Sequence, residues 1–97
     1  MFFRNHAHYV YIVSCSDGKL YTGMTWNLRR RIRQHNGTDW GGGKYTSHRR
    51  PVFLVHVERF EKKREAHMRE LDIKALSHFQ KQELIRNTTK DAILSAI

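Results

Sequence analysis

Two runs rich in Tyr, Val and Ile, residues 8–14 and 19–24, flank Ser16-Asp17-Gly18 and leave little choice but a β-hairpin. The turn then decides which side chains share a face. With a two-residue loop, Asp17-Gly18, Val13 pairs with Thr22, and Tyr11 and Tyr21 point to opposite faces. With a three-residue loop, Ser16-Asp17-Gly18, Val13 pairs with Tyr21 and Tyr11 with Gly23, so both tyrosines share one face. The common three-residue loop is a type I turn followed by a left-handed glycine, a G1 bulge, and Gly18 sits where that glycine belongs. Tyrosine is also a good strand former, so packing alone accounts for either ring.

A helix follows the hairpin, with Thr25 or Asn27 as its N-cap, and ends at Asn36-Gly37, where Gly37 can turn left-handed. Leu28, Arg31, Ile32 and His35 recur at i, i+3, i+4, i+7, the stripe expected to face the sheet. Arg31 on that stripe either snorkels past Ile32 to water or, with His35 one turn away, lines a cleft beside the tyrosines. Residues 37–50, "GTDWGGGKYTSHRR", carry no apolar period and read as a loop. Pro51 opens a strand over Val52–Val57, apolar at nearly every position and expected to be covered on both faces.

A second helix is expected over about Lys62–Leu76. Ala66, Glu70 and Ile73 share one of its faces and Met68, Leu71 and Ala75 form another apolar side. Glu70, between two apolar neighbours, reads as a salt-bridge partner, with Arg31 the candidate cation, or, less commonly, as a metal ligand. Ser77 and Gln80 have capping-box spacing and start a third helix, about His78–Arg86. Residues 1–86 form one domain, and residues 87–97 are a tail that forms a frayed helical turn or nothing. The ββαβαα order implies an α+β domain: a small three-stranded antiparallel sheet flanked by helices.

Ninety-seven residues allow one domain with a modest core. Lys and Arg total 18 against 9 Asp and Glu, a formal charge of +9, which points to a polyanionic partner, nucleic acid before an anionic membrane surface. No apolar run approaches the roughly 20 residues of a membrane span, and the first residues lack the order of a secretion signal. One cysteine, Cys15, excludes an intrachain disulfide and a thiolate zinc cluster, and a reducing cytoplasmic setting is expected. "GGGKYT" is not a phosphate-binding P-loop, because Tyr45 follows Lys44 and Thr38 stands at the first glycine position. The histidines show no paired zinc spacing. Arg29, Arg30 and Arg33 fall outside the inward stripe of the first helix, a solvated or phosphate-tracking face. Lys44, Arg49 and Arg50 read as DNA-backbone contacts or as a solvated loop, and Tyr45 as a secondary candidate that reaches the site or stacks on a base.

"YVY" at 9–11, "YTG" at 21–23, "NLRRRIRQH" at 27–35, the "KYT" loop, the "RRP" strand start and a helix bearing Glu70 together resemble the GIY-YIG nuclease domain. The likeness runs over about residues 8–86 and is strongest to small stand-alone bacterial members, the YhbQ-like group. It implies that Tyr11 and Tyr21 are the tyrosines of the two tripeptides, with Gly23 the glycine of the second. It further implies that Arg31 is the catalytic arginine, His35 the active-site position four residues later, and Glu70 the single metal-binding carboxylate. Tyr9 stands where the first tripeptide has glycine, and Thr22 where the second has Ile or Val. Some members have lysine at the position of Met24.

The implied activity is metal-dependent hydrolysis of DNA phosphodiester bonds, in repair or processing, with RNA as a second possible substrate and a separate targeting protein as a possible partner. No membrane and no small-molecule cofactor are expected. One carboxylate suits one Mg²⁺ or Mn²⁺ that keeps most of its waters, and Arg31 adds a planar cation fitted to phosphate. In the family scheme Tyr21 activates the attacking water and Tyr11 assists by positioning. A tyrosine, with an ordinary pKa of about 10, needs neighbouring cations to serve as a base. The alternative is a nucleic-acid-binding module that has lost turnover.

Overall fold

His8–Ser14 forms β1, whose residues Val10, Tyr11, Ile12 and Val13 are all almost completely buried. A strand buried on both faces must be central, and β1 lies between β2 (Leu20–Thr25) and β3 (Phe53–Phe60) in an antiparallel sheet of order β2-β1-β3. The computed structural model describes residues 6–97; the start of the chain, read above for a secretion signal, lies largely outside them. The hairpin takes the three-residue loop. Val13 pairs with Tyr21 and Tyr11 with Gly23, Gly18 has φ +83°, and its N–H donates to the Cys15 carbonyl at 2.9 Å.

Alternation along β1 divides the core. Tyr11, Val13 and Cys15 pack with Leu28, Val52 and the partly buried Ile32 on one face. Val10 and Ile12 pack with Ala66 and Ile73 on the other, beside Leu84 and Ile85. The first face is covered by α1 (Leu28–His35), whose N-cap Asn27 accepts from the Arg30 N–H while Thr25 Oγ1 accepts from the Asn27 N–H. Gly37 ends this helix at φ +80°. The second face is covered by α3 (Lys63–Lys74) and α4 (His78–Arg86), the latter closed by the Ser77/Gln80 capping box.

Four expectations change. The loop after α1 contains one helical turn, α2 (Lys44–Ser47). β3 runs three residues beyond Val57, because Glu58 is neutralised in place by Arg69 through bonds of 2.9 and 3.1 Å and the polar stretch still pairs with β1. Met68 and Leu71, expected on an apolar side of α3, are 56% and 51% exposed, since the sheet meets only the Ala66–Ile73 face. Residues 87–97 are not frayed: Thr89 caps α5 (Lys90–Ala96), which packs on β3 and places Ala96 against the Tyr11 cluster. Seven residues are too few for an isolated helix, so the docking makes it.

Candidate active site

Tyr11 and Tyr21 share the α1 face of the hairpin, as the three-residue turn requires. Tyr11 lies across β2 at Gly23: a Cβ there would fall 2.5 Å from its hydroxyl and 2.6 Å from Cζ. Glycine at 23 is therefore a packing requirement of the tyrosine opposite it. Tyr21 is partly buried, its ring 5.2 Å from that of His35 and 5.5 Å from that of Tyr45. Thr22, where the family pattern is apolar, carries a buried hydroxyl without a hydrogen-bond partner among the described residues.

The inward stripe of α1 supplies the rest of this face. His35 is fully buried, with Nε2 2.8 Å from the Tyr11 hydroxyl and Nδ1 2.9 Å from Thr46 Oγ1. Thr46 in turn donates to the Gly43 carbonyl at 3.2 Å. One hydroxyl proton cannot serve both neighbours, so Thr46 accepts from His35 Nδ1–H, and His35 Nε2 accepts the Tyr11 proton. Charge agrees with this tautomer. Burial, with the nearby Arg31 and Arg50 guanidinium groups, pushes the His35 pKa down to about 4, leaving a neutral ring. Burial pushes Tyr11 up to about 12 against the opposing pull of Arg31, so its hydroxyl stays protonated at neutral pH. Of the two tyrosines, Tyr11 is thus the fixed donor.

Arg31 is half-buried, and its guanidinium donates to Gln34 Oε1 at 3.0 Å and to the Gly41 carbonyl at 2.7 Å. The expected pairing of Arg31 with Glu70 does not occur. Glu70 sits between the fully buried Ala66 and Ile73 with its side chain 13% exposed, and its oxygens lie 3.5 Å from His67 Nδ1 and 3.4 Å from Lys74 Nζ. Helical spacing explains the choice, because positions i−3 and i+4 reach Glu70 along its own helix. Its charge is nonetheless near enough to Tyr11 to contribute to the rise in that pKa.

A carboxylate mostly removed from water, with ion pairs too long to be strong hydrogen bonds, keeps acceptor capacity for a cation. The donor set fits one hard divalent ion completed by water and phosphate oxygens. Among the described residues no group of three or more His, Cys, Asp or Glu converges to hold a metal alone.

The basic candidates separate by what they touch. Arg33 binds Asp39, at 3.1 Å for the closer contact. Arg49 binds Asp17 at 3.0 Å and lies over the Tyr45 ring. Arg50 donates to the His35 carbonyl at 2.7 Å and fixes the end of α1. These three are committed within the chain, whereas Arg29, Arg30 and Lys44 are exposed, with Arg30 over the Trp26 ring. Thr46 and Gln34 escaped the sequence reading. Gln34 lies at i+3 from Arg31 and was open to a spacing argument, but nothing local links Thr46 to a histidine eleven positions earlier.

Residues 7–83 match the family model described as the GIY-YIG catalytic domain. A UPF0213 protein of Natronomonas pharaonis is 49% identical over 82 residues, which cover 84% of this chain and 94% of that protein. One from Staphylococcus haemolyticus is 53% identical over 78 residues, covering 80% and 93%. The solution structure of a UPF0213 protein from Bacillus halodurans superposes with a TM-score of 0.57 at 38% identity, over 92% of this chain and 94% of that one. A solution structure from E. faecalis gives 0.56 at 36% identity, over 82% and 83%. With the hairpin, the Arg31–His35 helix and the Glu70 helix in place, the chain belongs to the GIY-YIG catalytic domain family and, within it, to the small UPF0213 proteins.

Proposed function

We propose that this protein is a divalent-metal-dependent endonuclease that hydrolyses DNA phosphodiester bonds. The observation that carries the reading is the chain from Tyr11 through His35 and Thr46 to Gly43, beside an arginine and a carboxylate that do not neutralise each other. The hydrogen-bonded chain also serves the packing of the fold, but a binding module has no use for an inward carboxylate kept apart from that arginine. Mg²⁺ or Mn²⁺ at Glu70 would supply positive charge to the scissile phosphate and a water of lowered pKa.

The remaining chemistry falls to side chains already placed. Arg31, oriented by Gln34 and Gly41, holds a phosphate oxygen and offsets the charge that develops there. In the reacting form Tyr21 is a phenolate, its own proton given up to solvent, and it takes the proton of the attacking water. Tyr11, its own proton committed to His35, orients the reacting groups without giving that proton up at neutral pH. Attack forms the new P–O bond, the in-line ester oxygen leaves, and that oxygen is protonated from solvent.

The test is cleavage of single-stranded, duplex and branched DNA with Mg²⁺ or Mn²⁺, using Glu70→Gln and Arg31→Ala. Glu70→Gln should abolish cleavage yet keep or tighten DNA binding, because a negative charge leaves the phosphate site. Arg31→Ala should lower turnover by about 10²–10³, more than it lowers affinity. Wild-type protein that binds DNA but cuts none of the substrates with either ion would instead establish a binding module. Variants that melt early but cleave normally whenever folded would reject the catalytic assignment.

A further inference from the structure

Trp40 is 96% exposed, yet the loop that carries it is firmly built. Thr38 donates to the Arg33 carbonyl from both its backbone N–H, at 2.9 Å, and its hydroxyl, at 2.8 Å. The Asp39 carboxylate accepts twice from Arg33, and the Gly41 carbonyl accepts from Arg31 at 2.7 Å. Gly41 has φ +100°, and a Cβ at Gly42 would collide with the backbone carbonyl of Gln34. The loop backbone is thus laid directly on the end of α1, and the indole projects outward. An aromatic ring held in water on an ordered loop gives this fold almost no burial in return.

Its surroundings fit one kind of occupant. A groove of about 500 Å³ adjoins Trp40, lined by Gly37, Gly41, Gly42 and Arg50, whose guanidinium group packs against Gly37 and Gly42. Two more exposed aromatic rings carry arginines, Arg30 at 4.6 Å from Trp26 and Arg49 at 4.3 Å from Tyr45. On a chain of charge +9, aromatic faces interleaved with guanidinium groups match nucleobases strung on phosphates. The next residue after Trp40 is Gly41, whose carbonyl accepts from Arg31 at 2.7 Å, so the loop that carries the ring is anchored on the guanidinium proposed to hold the phosphate.

We propose that Trp40 stacks on an unpaired base beside the phosphate held at Arg31, which makes DNA with a single-stranded segment at the cut the substrate class. Bases inside a duplex have both faces covered by their neighbours; only an unpaired or extruded base can offer one to an indole. The proposal rests on the nuclease reading above, and its test separates the two.

The measurement is fluorescence anisotropy of labelled DNA in EDTA, where no cleavage occurs, with a single strand, the same sequence as duplex, and a strand of abasic sites. Trp40→Ala should weaken single-strand binding about ten- to a hundredfold, the worth of one stacked base, and leave duplex binding within about twofold. Trp40→Phe should keep most of the affinity, and the abasic strand should not distinguish wild type from Trp40→Ala. Equal losses on single strand and duplex, no loss on either, or a lowered Tm for Trp40→Ala would each overturn the proposal. Wild-type protein that binds no DNA would reject the nuclease reading and this proposal together. Wild-type protein that binds and, with metal, cleaves, while Trp40→Ala binds single strands equally well, would reject the role of Trp40 alone.

Discussion

Mild acid should destabilise this protein mainly through His35. The ring is fully buried and held neutral, its pKa pushed from 6.5 down to about 4 by burial and by the neighbouring Arg31 and Arg50. Between those two pH values the unfolded chain takes up a proton that the folded chain refuses. Stability therefore falls as pH falls, by about 1.4 kcal/mol per unit at most, for a total of about 3 kcal/mol near pH 4. That is a large share of the roughly 5–15 kcal/mol by which domains are stable. Glu58, pulled down to about 2 by His56 and Arg69, adds its own loss only below its ordinary value of 4.5. The window from pH 6.5 to 4.5 consequently isolates His35 from Glu58. Urea unfolding at half-unit steps should show the decline in wild type. His35→Gln, which keeps a donor and an acceptor but cannot titrate, should start less stable and lose much less across the window. A flat wild-type curve there, or the same slope in the variant, would refute the buried neutral histidine and the relay built on it.

Two substitutions on β2 test the packing of the same face and its reverse. Gly23→Ala must displace the buried Tyr11 ring and loosen its bond to His35; it should cost about 1–3 kcal/mol and lower cleavage as well. An unchanged Tm would show that Tyr11 does not depend on glycine at 23. Thr22→Val removes a buried hydroxyl that has no partner among the described residues and should raise stability by about 1 kcal/mol in urea titration. A decrease would mean that the hydroxyl is bonded after all.

Local chemistry makes much of this molecule legible in its sequence alone. A left-handed glycine after a type I turn set the hairpin register, and with it the shared face of Tyr11 and Tyr21. A 3.6-residue period placed Arg31 and His35 inward, and capping spacing located the start of α4. These signals act within a few residues, where sequence distance and spatial distance nearly coincide.

Tertiary structure decided what each inward group touches. Thr46 meets His35 only because α2 is folded back across the end of α1, and that contact is what fixes the histidine tautomer and makes Tyr11 a donor. Arg33, Arg49 and Arg50 read as free cations along the chain, yet Asp39, Asp17 and the His35 carbonyl occupy them. Glu70 keeps clear of Arg31 because Lys74 and His67, one turn away on its own helix, reach it first. The last seven-residue helix exists because β3 offers it a surface. Periodicity reports which way a side chain faces; its hydrogen-bond partner, and hence its charge and proton, depends on segments that only folding brings together.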